Sequence, residues 1–348
     1  MYTTIAVVAA IAIFAWRHDA TEAFLAGVVG IVVAVGFYYG ALYAQASDVE
    51  ILSGAVVAKK RTYDPETETY SCGTDSKGHT KTCTRTIPRW KWSVVSNIGD
   101  DDYSEHTYTK SNEPEIYKFT AVGDAYARTK RFTNFQYVSE QTIMLNKQDQ
   151  YAGWLPEYPK IYNGFQVDRG LSRIVASDEL SGKLAVAQRN WGPSYGVNVI
   201  VCVVDATKDV GFSDALRNKW TGGKKNDVVL TLYLENNEVK KAEVFSRSTN
   251  NKRAENMADF NMTLRERAEK LGTYNVGELL GVIELSLPYF EREDLSQYDF
   301  LEAEYSAPVW VEILGSFLLL ACMGITVKVY SDKIGKRRFH NYSRRRFT

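Results

Sequence analysis

Apolar residues along this chain collect in three long runs, and between the second and third they alternate or cluster over only a few positions at a time. The run over 23–47 contains no charged residue. It exceeds the roughly 20 apolar positions that a helix needs to cross a hydrocarbon core of ~30 Å. A shorter run over 1–16 closes with Trp16, Arg17 and His18. A secretory leader carries positive charge ahead of its apolar stretch; none stands here and a second span follows at once, so the pattern favours a helical hairpin over a cleaved signal. The third run, from Ala307 to about Tyr330, carries Glu312 near one end and Lys328 near the other, each placed to reach the head groups. Gly27, Gly30, Gly36 and Gly40 would weaken a soluble helix, whereas small residues let membrane helices approach one another closely. Phe37, Tyr38, Tyr39 and Tyr43 suit an interfacial belt.

The polar stretch divides by period. Over 47–140 short runs rich in Val, Thr, Tyr and Trp are separated by turn signals such as Asp64-Pro65 and Gly78, which predicts an antiparallel β-rich module. Arg89-Trp90-Lys91-Trp92 reads as a strand with aromatics on one face and bases on the other. Over 141–306 an irregular connector with Trp154, Pro156 and Pro159 leads to a helix at 180–191. There follow a buried strand (197–205), a helix (212–220), a Gly/Lys loop (221–227), two strands (228–234 and 238–245) and helices at 258–271 and 276–291. Strands alternating with helices predict an α/β sandwich. The expected fold is therefore an α+β membrane protein: a transmembrane hairpin (1–46), a β-rich module (47–140), an α/β domain (141–306), a third transmembrane helix (307–330) and a tail (331–348).

Composition sharpens this picture in two places. The chain of 348 residues is 45% hydrophobic, enough for a full core, so disorder is not the default state. Its 42 basic and 42 acidic residues cancel, yet 331–348 holds seven bases, among them Lys336, Arg337, Arg338, Arg344, Arg345 and Arg346, against Asp332 alone. Beside a membrane span such a tail serves as a cytoplasmic topology signal and a contact for anionic lipid rather than for nucleic acid. The region 47–306 would then lie outside the cytoplasm, on the periplasmic side of a bacterial inner membrane, with incorporation into a virion membrane left open. There Cys72 and Cys83, flanking a polar stretch with Gly73 and Gly78, are expected to form a disulfide across a hairpin. The alternative is a metal site of Cys72, His79 and Cys83, which lacks a fourth ligand. Cys202, inside an apolar strand, reads as an inert buried thiol.

The block around Asp205, Trp220, Gly222, Gly223, Lys224, Lys225, Asn226 and Asp227 resembles the TPM domain, a membrane-associated α/β domain. The loop lacks phosphate-loop spacing and lies between a helix and a strand, the wrong order for a phosphate cradle. Some members of that family are linked to divalent cations or to phosphatase activity, so the resemblance offers Asp205 and Asp227 as a sparse cation site. The wider arrangement is similar to membrane proteins encoded by large tailed bacteriophages. The similarity runs through Asp48, Glu50, Gly54 and Val56, through Trp92 and Val94, and through a Tyr289-Phe290-Glu291-Arg292 helix end; it implies a bacterial-envelope setting. Histidine is scarce (His18, His79, His106, His340), so a Ser-His or metal-His centre in the α/β domain lacks its base. The expectation is a non-enzymatic, homo-oligomeric membrane scaffold without a cofactor, in contact with lipid and an envelope protein. A TPM-type hydrolase is the runner-up, and a permeabilising assembly using Glu312 comes third.

Overall fold

The computed structural model describes residues 20–74, 76, 78–98, 103–110, 112–134, 151–163, 165–248, 260–292, 309–321, 324–325 and 328. The chain divides into two compact units, one of Met1–Ser47, Thr133–Val138 and Tyr298–Thr348, the other of Asp48–Phe132 and Ser139–Gln297.

In the first unit, helix α1 (Ala20–Gln45) contains the stretch Val28–Gln45, of mean hydropathy 1.6, long and apolar enough to cross a membrane. A second apolar helix, which we number α7, is described over Val309–Ala321, and residues 324, 325 and 328 are helical as well. Among the described residues one helix meets the requirement, where the apolar runs predicted three. The run over 1–16 and the basic tail (Lys336, Arg337, Arg338, Arg344, Arg345, Arg346) lie outside the described residues. Along α7, Val311, Gly315 and Leu319 recur every fourth position and are buried, and the absent side chain of Gly315 would meet the Phe37 ring at 3.8 Å. Glu312 is half-buried in a groove with Tyr38 and Tyr39. A Cβ added at Gly36 or Gly40 would meet nothing.

The second unit holds two four-stranded sheets. The first, in order β5-β4-β1-β6, is built from β1 (Ser47–Tyr63), β4 (Trp90–Ser96), β5 (Tyr103–Thr109) and β6 (Ala125–Thr133), with a short helix α2 (Glu115–Lys118) against it. Val56, Val94, Ile98, Tyr126 and Phe165 form its core. Arg61 lies 3.9 Å over the Trp90 ring and 4.7 Å over Trp92, so the aromatic and basic residues of this ribbon largely stack on one another. Strands β2 (Glu66–Thr74) and β3 (Thr80–Ile87) continue the β1/β4 hairpin as a separate two-stranded arm. Cys72 and Cys83 are joined across it with their Cα atoms 5.7 Å apart, which removes both sulfurs from any metal site with His79.

The second sheet, β12-β11-β10-β9, comprises β9 (Gly170–Ser172), β10 (Asn198–Asp205), β11 (Asp227–Glu235) and β12 (Glu238–Ser246), preceded by a small β7/β8 ladder (Ile161–Tyr162, Gln166–Val167). β9, β10 and β11 run parallel and β12 antiparallel. Asn236 and Asn237 both take positive φ, 51° and 64°, as a tight β11–β12 hairpin requires. Helices α3 (Ser177–Tyr195), α5 (Phe260–Glu269) and α6 (Val276–Ser286) cover one face, where Val199, Val201, Val203, Leu230 and Leu232 meet Leu184, Phe260, Leu264 and Ile283. Helix α4 (Phe212–Lys219) covers the other face with Trp154 and Tyr158 of the connector, over Ile200, Cys202 and Val204. Coverage on both faces explains why β10 reads as an uninterrupted apolar run. It also buries Cys202, whose thiol is pushed far above its ordinary range.

Candidate functional site

The Gly/Lys loop between α4 and β11 turns through three consecutive left-handed residues, Thr221 (φ 52°), Gly222 (76°) and Gly223 (82°). Glycine occupies two of these positions because it adopts this conformation without a steric cost. The loop amides are spent internally. Gly222 N–H donates to Arg217 O (2.8 Å) and Gly223 N–H to Trp220 O (3.0 Å), while Lys224 N–H donates to Asp227 Oδ2 (2.8 Å). Arg247 donates to the carbonyls of Thr221 and Gly223 at 2.9 and 3.1 Å. A phosphate cradle needs converging N–H groups with no internal partner, and these three already have one. Trp220 is buried, its indole N–H donating to Pro156 O at 3.2 Å.

Asp227 is fully buried. Its carboxylate accepts from Asn198 Nδ2 (2.8 Å) and from the Tyr158 hydroxyl (2.9 Å to each oxygen). Burial raises its pKa; the Asn198, Lys224 amide and Tyr158 hydrogen bonds pull the other way. The same relay continues outward. The Arg169 Nε donates to Asn198 Oδ1 at 2.7 Å and a terminal nitrogen of the same guanidinium to Ser53 Oγ at 2.5 Å. Burial lowers Arg169 to about 10, opposed by Tyr158 and Asp227, so it remains charged at neutral pH.

Ser53 belongs to β1, and β1 is where the other loop residues converge. Lys224 forms an ion pair with the buried Asp48. Asn226 Nδ2 donates to Ile51 O at 2.7 Å. Glu50, with no exposed surface, is flanked by Arg292 and by the Lys225 ammonium at 3.6 Å. Burial depresses the Lys225 pKa, with Glu50 opposing and Arg292 and Lys130 adding to the depression. The backbones are equally close. A Cβ on Gly192 of α3 would run into the Ser53 carbonyl, and one on Gly54 would lie 2.6 Å from Asn97 Oδ1, whose oxygen accepts from Ala55 N–H at 2.7 Å. Asp48, Glu50, Gly54, the 224–227 segment and Arg292 are far apart in sequence and form one buried polar contact.

The two acidic residues offered as a cation site are not brought together. Asn198, the partner of Asp227, pairs with it at the start of the β10/β11 ladder, and Asp205 pairs with Leu234 at the other end, ~23 Å away at 3.3 Å per residue. Asp205 accepts from Thr207 N–H (2.9 Å), Thr207 Oγ1 (2.6 Å) and Lys208 N–H (3.2 Å), and the Thr207 bonds hold it below its ordinary range. Among the described residues no group of three or more His, Cys, Asp or Glu is arranged to hold a metal.

A cleft of about 910 Å³ opens between β6, β8 and α3, with Glu115, Asp124, Asp168 and Asp178 along it. Asp124 accepts from Ala121 N–H at 2.6 Å and Asp168 from the Tyr162 hydroxyl at 2.7 Å. Sequence reasoning missed Tyr158, Arg169 and Asn198. Each is a lone polar residue whose partners lie 29 or more positions away, and no local pattern marks them. No family model, no curated protein and no solved structure matches this chain.

Proposed function

We propose that this chain is an integral membrane scaffold or assembly protein that displays its second unit outside the cytoplasm of a bacterial envelope and acts as a homo-oligomer. The observation that carries the reading is the ionic clamp on β1. A single residue, Ala46, separates α1 from β1, and Asp48 and Glu50 tie that strand to Lys224, Lys225 and Arg292. Arg292 stands shortly before the C-terminal apolar run, so the clamp holds the chain's entry into the unit to its exit. A strand fixed in this way directly after an apolar helix suits a protein that stays anchored and assembles more than one that diffuses freely.

The finer parts of the reading are three crossings, with 1–16 and 307–330 joining α1, and the basic tail in the cytoplasm. The Cys72–Cys83 disulfide suits an oxidising compartment. The order of strands and helices over 198–246 is compatible with a TPM-like domain, and the bacteriophage setting rests on the resemblance alone. The hydrolase reading is supported less well, because Asp227 is enclosed by Tyr158, Asn198 and the Lys224 amide and offers a substrate no open carboxylate. Size-exclusion chromatography with light scattering on the full-length protein in mild detergent tests the proposal. A discrete multimer is expected, and a monomer at all concentrations overturns it.

A further inference from the structure

The β2/β3 arm is the one described part of the second unit whose residues are exposed on both faces. In β2 only Cys72 is half-buried, and in β3 only Cys83 and Ile87. A two-stranded ribbon with no buried face is marginally stable in water, yet this one is crosslinked near its tip and braced at its base. Arg85 Nε and a terminal nitrogen both bond Glu68 Oε2, at 2.9 and 2.7 Å, and Arg89 pairs with Glu66 at 3.0 Å. The arm is thus held together while its two outer edges, with their backbone N–H and C=O groups, pair with no third strand among the described residues. Such edges are templates for a further strand; neither strand contains proline, and the one register shift of the ladder lies beside the tip, between Ser71 and Thr74, leaving Glu66–Ser71 against Thr82–Ile87 regular.

The charges are sorted by strand. Glu66 and Glu68 are the charged residues of β2, and Lys81 and Arg85 those of β3. The register puts Glu66, Glu68 and Tyr70 on one face with Ile87, Arg85 and Cys83, and Thr67, Thr69 and Ser71 on the other with Thr86, Thr84 and Thr82. Joining β2 to a second β2 sets acid beside acid, and β3 to β3 sets base beside base. Only β2 against β3 of another copy places opposite charges side by side. We propose that the arms of neighbouring copies pair in this way, β2 to β3, all pointing in one direction, so that Glu68 lies between its own Arg85 and that of the neighbour and the hydroxyl face continues as a ladder. A contact of this kind uses two different surfaces of each copy, so it repeats from copy to copy and forms a ring where the rotation closes and an open filament where it does not. The proposal rests on the homo-oligomer reading above and names its interface.

Full-length Thr69→Cys and Thr84→Cys proteins, prepared separately in detergent, are mixed and mildly oxidised. Both positions are exposed, and within one copy each variant has a threonine opposite its new thiol. The expected result is a disulfide-linked dimer in the mixture and none in either variant alone. A dimer from Thr69→Cys alone would mean two-fold β2/β2 pairing and would overturn the proposal. So would an undiminished oligomer without any crosslink, which would leave the homo-oligomer reading standing; a monomer by light scattering would remove both. Charge reversal gives a second readout. Glu68→Arg and Arg85→Glu should each lower the oligomeric fraction, and mixing the two should restore it, because the mixture rebuilds the pairs between copies but not those within an arm. Failure of the mixture to recover would mean that those charges act only within the arm and would overturn the β2/β3 contact between copies.

Discussion

Strands β10 and β2 are nearly equal in length and opposite in surroundings. Asn198 to Val204 in β10 are buried without exception, whereas in β2 only Cys72 is even half-buried. The first strand draws its stability from apolar area removed from water on both faces. The second contributes almost none, and is kept in shape by a disulfide and surface ion pairs. A lesion near the first should therefore appear as lost global stability. A lesion in the second should appear as altered association or local order, with the fold intact. Strand β1 links the two regimes, because it is clamped to the α/β domain at Asp48 and Glu50 and runs out to the base of the arm at Tyr63.

The largest effect is expected at the clamp. Glu50→Ala removes a carboxylate with no exposed surface and leaves Lys225 and Arg292 facing each other without it. Breaking a buried pair from one side typically costs about 3–5 kcal/mol. Urea unfolding of the detergent-solubilised protein should show a loss of this order; a change below about 1 kcal/mol would mean that the clamp is solvated and holds little. A somewhat smaller loss, about 1–3 kcal/mol, is expected for Gly192→Ala, because the new methyl would force the α3 and Ser53 backbones apart in a close-packed contact. The same alanine at Gly182, where a Cβ meets nothing inside the same helix, is its control and should raise stability by about 0.5–1 kcal/mol.

These two sites also show what the sequence could reveal. Three strands of the α/β sheet were legible to within a residue, 197–205 against Asn198–Asp205, 228–234 against Asp227–Glu235 and 238–245 against Glu238–Ser246, the first two because continuous burial writes itself as a continuous apolar run; β9, three residues long, was not. The disulfide was legible from its polar, glycine-bearing hairpin. The clamp was not, since Glu50 finds Arg292 across 242 positions and Asp48 finds Lys224 across 176. Buried ion pairs carry no periodicity, so Lys224 and Lys225 read only as part of a Gly/Lys loop that lacks phosphate-loop spacing. The three apolar runs were read as three crossings, and among the described residues α1 alone is long enough; the first run and much of the third run's second half lie outside those residues.

A smaller effect, visible as pH dependence, separates the Asp227 relay from the surface carboxylates. Because burial raises the Asp227 pKa above the ordinary carboxylate value of 3.8, the folded state binds this proton more tightly than the unfolded chain. Its contribution to stability therefore grows as the pH falls through the folded-state pKa towards 3.8, and is lost as the pH rises again. Asp205, Glu157 and Glu238, whose pKa values are lowered, act in the opposite sense. Asp227→Asn should be less stable than the parent throughout, since the amide has one acceptor oxygen where the carboxylate uses two, and its NH2 must face either the Lys224 N–H or the Asn198 amide. The gap between the two should widen on acidification from about pH 7 to about pH 4.5. A gap that narrows would mean that Asp227 is held charged by its donors.

The smallest global effect is expected where the local effect is greatest. Replacing Cys72 and Cys83 together by serine opens a link between residues 11 positions apart, which in a cooperative domain would cost ~3 kcal/mol through the entropy of the unfolded loop. Here the arm shares no core with either sheet, so unfolding of the arm and of the α/β domain need not be coupled. The global unfolding midpoint should stay within about 0.5 kcal/mol of the parent, while amide exchange over Glu66–Thr74 and Thr80–Ile87 accelerates to that of an open ribbon. If the arm is paired between copies, the acceleration should be strong in monomeric fractions and weaker in the oligomer, where a neighbour's strand protects the outer amides. Equal exchange in both fractions would return the arm to an isolated hairpin and dissolve its contrast with β10 as a surface waiting for a partner. A fall in the global midpoint by the full cost of the link would show instead that arm and core unfold as one.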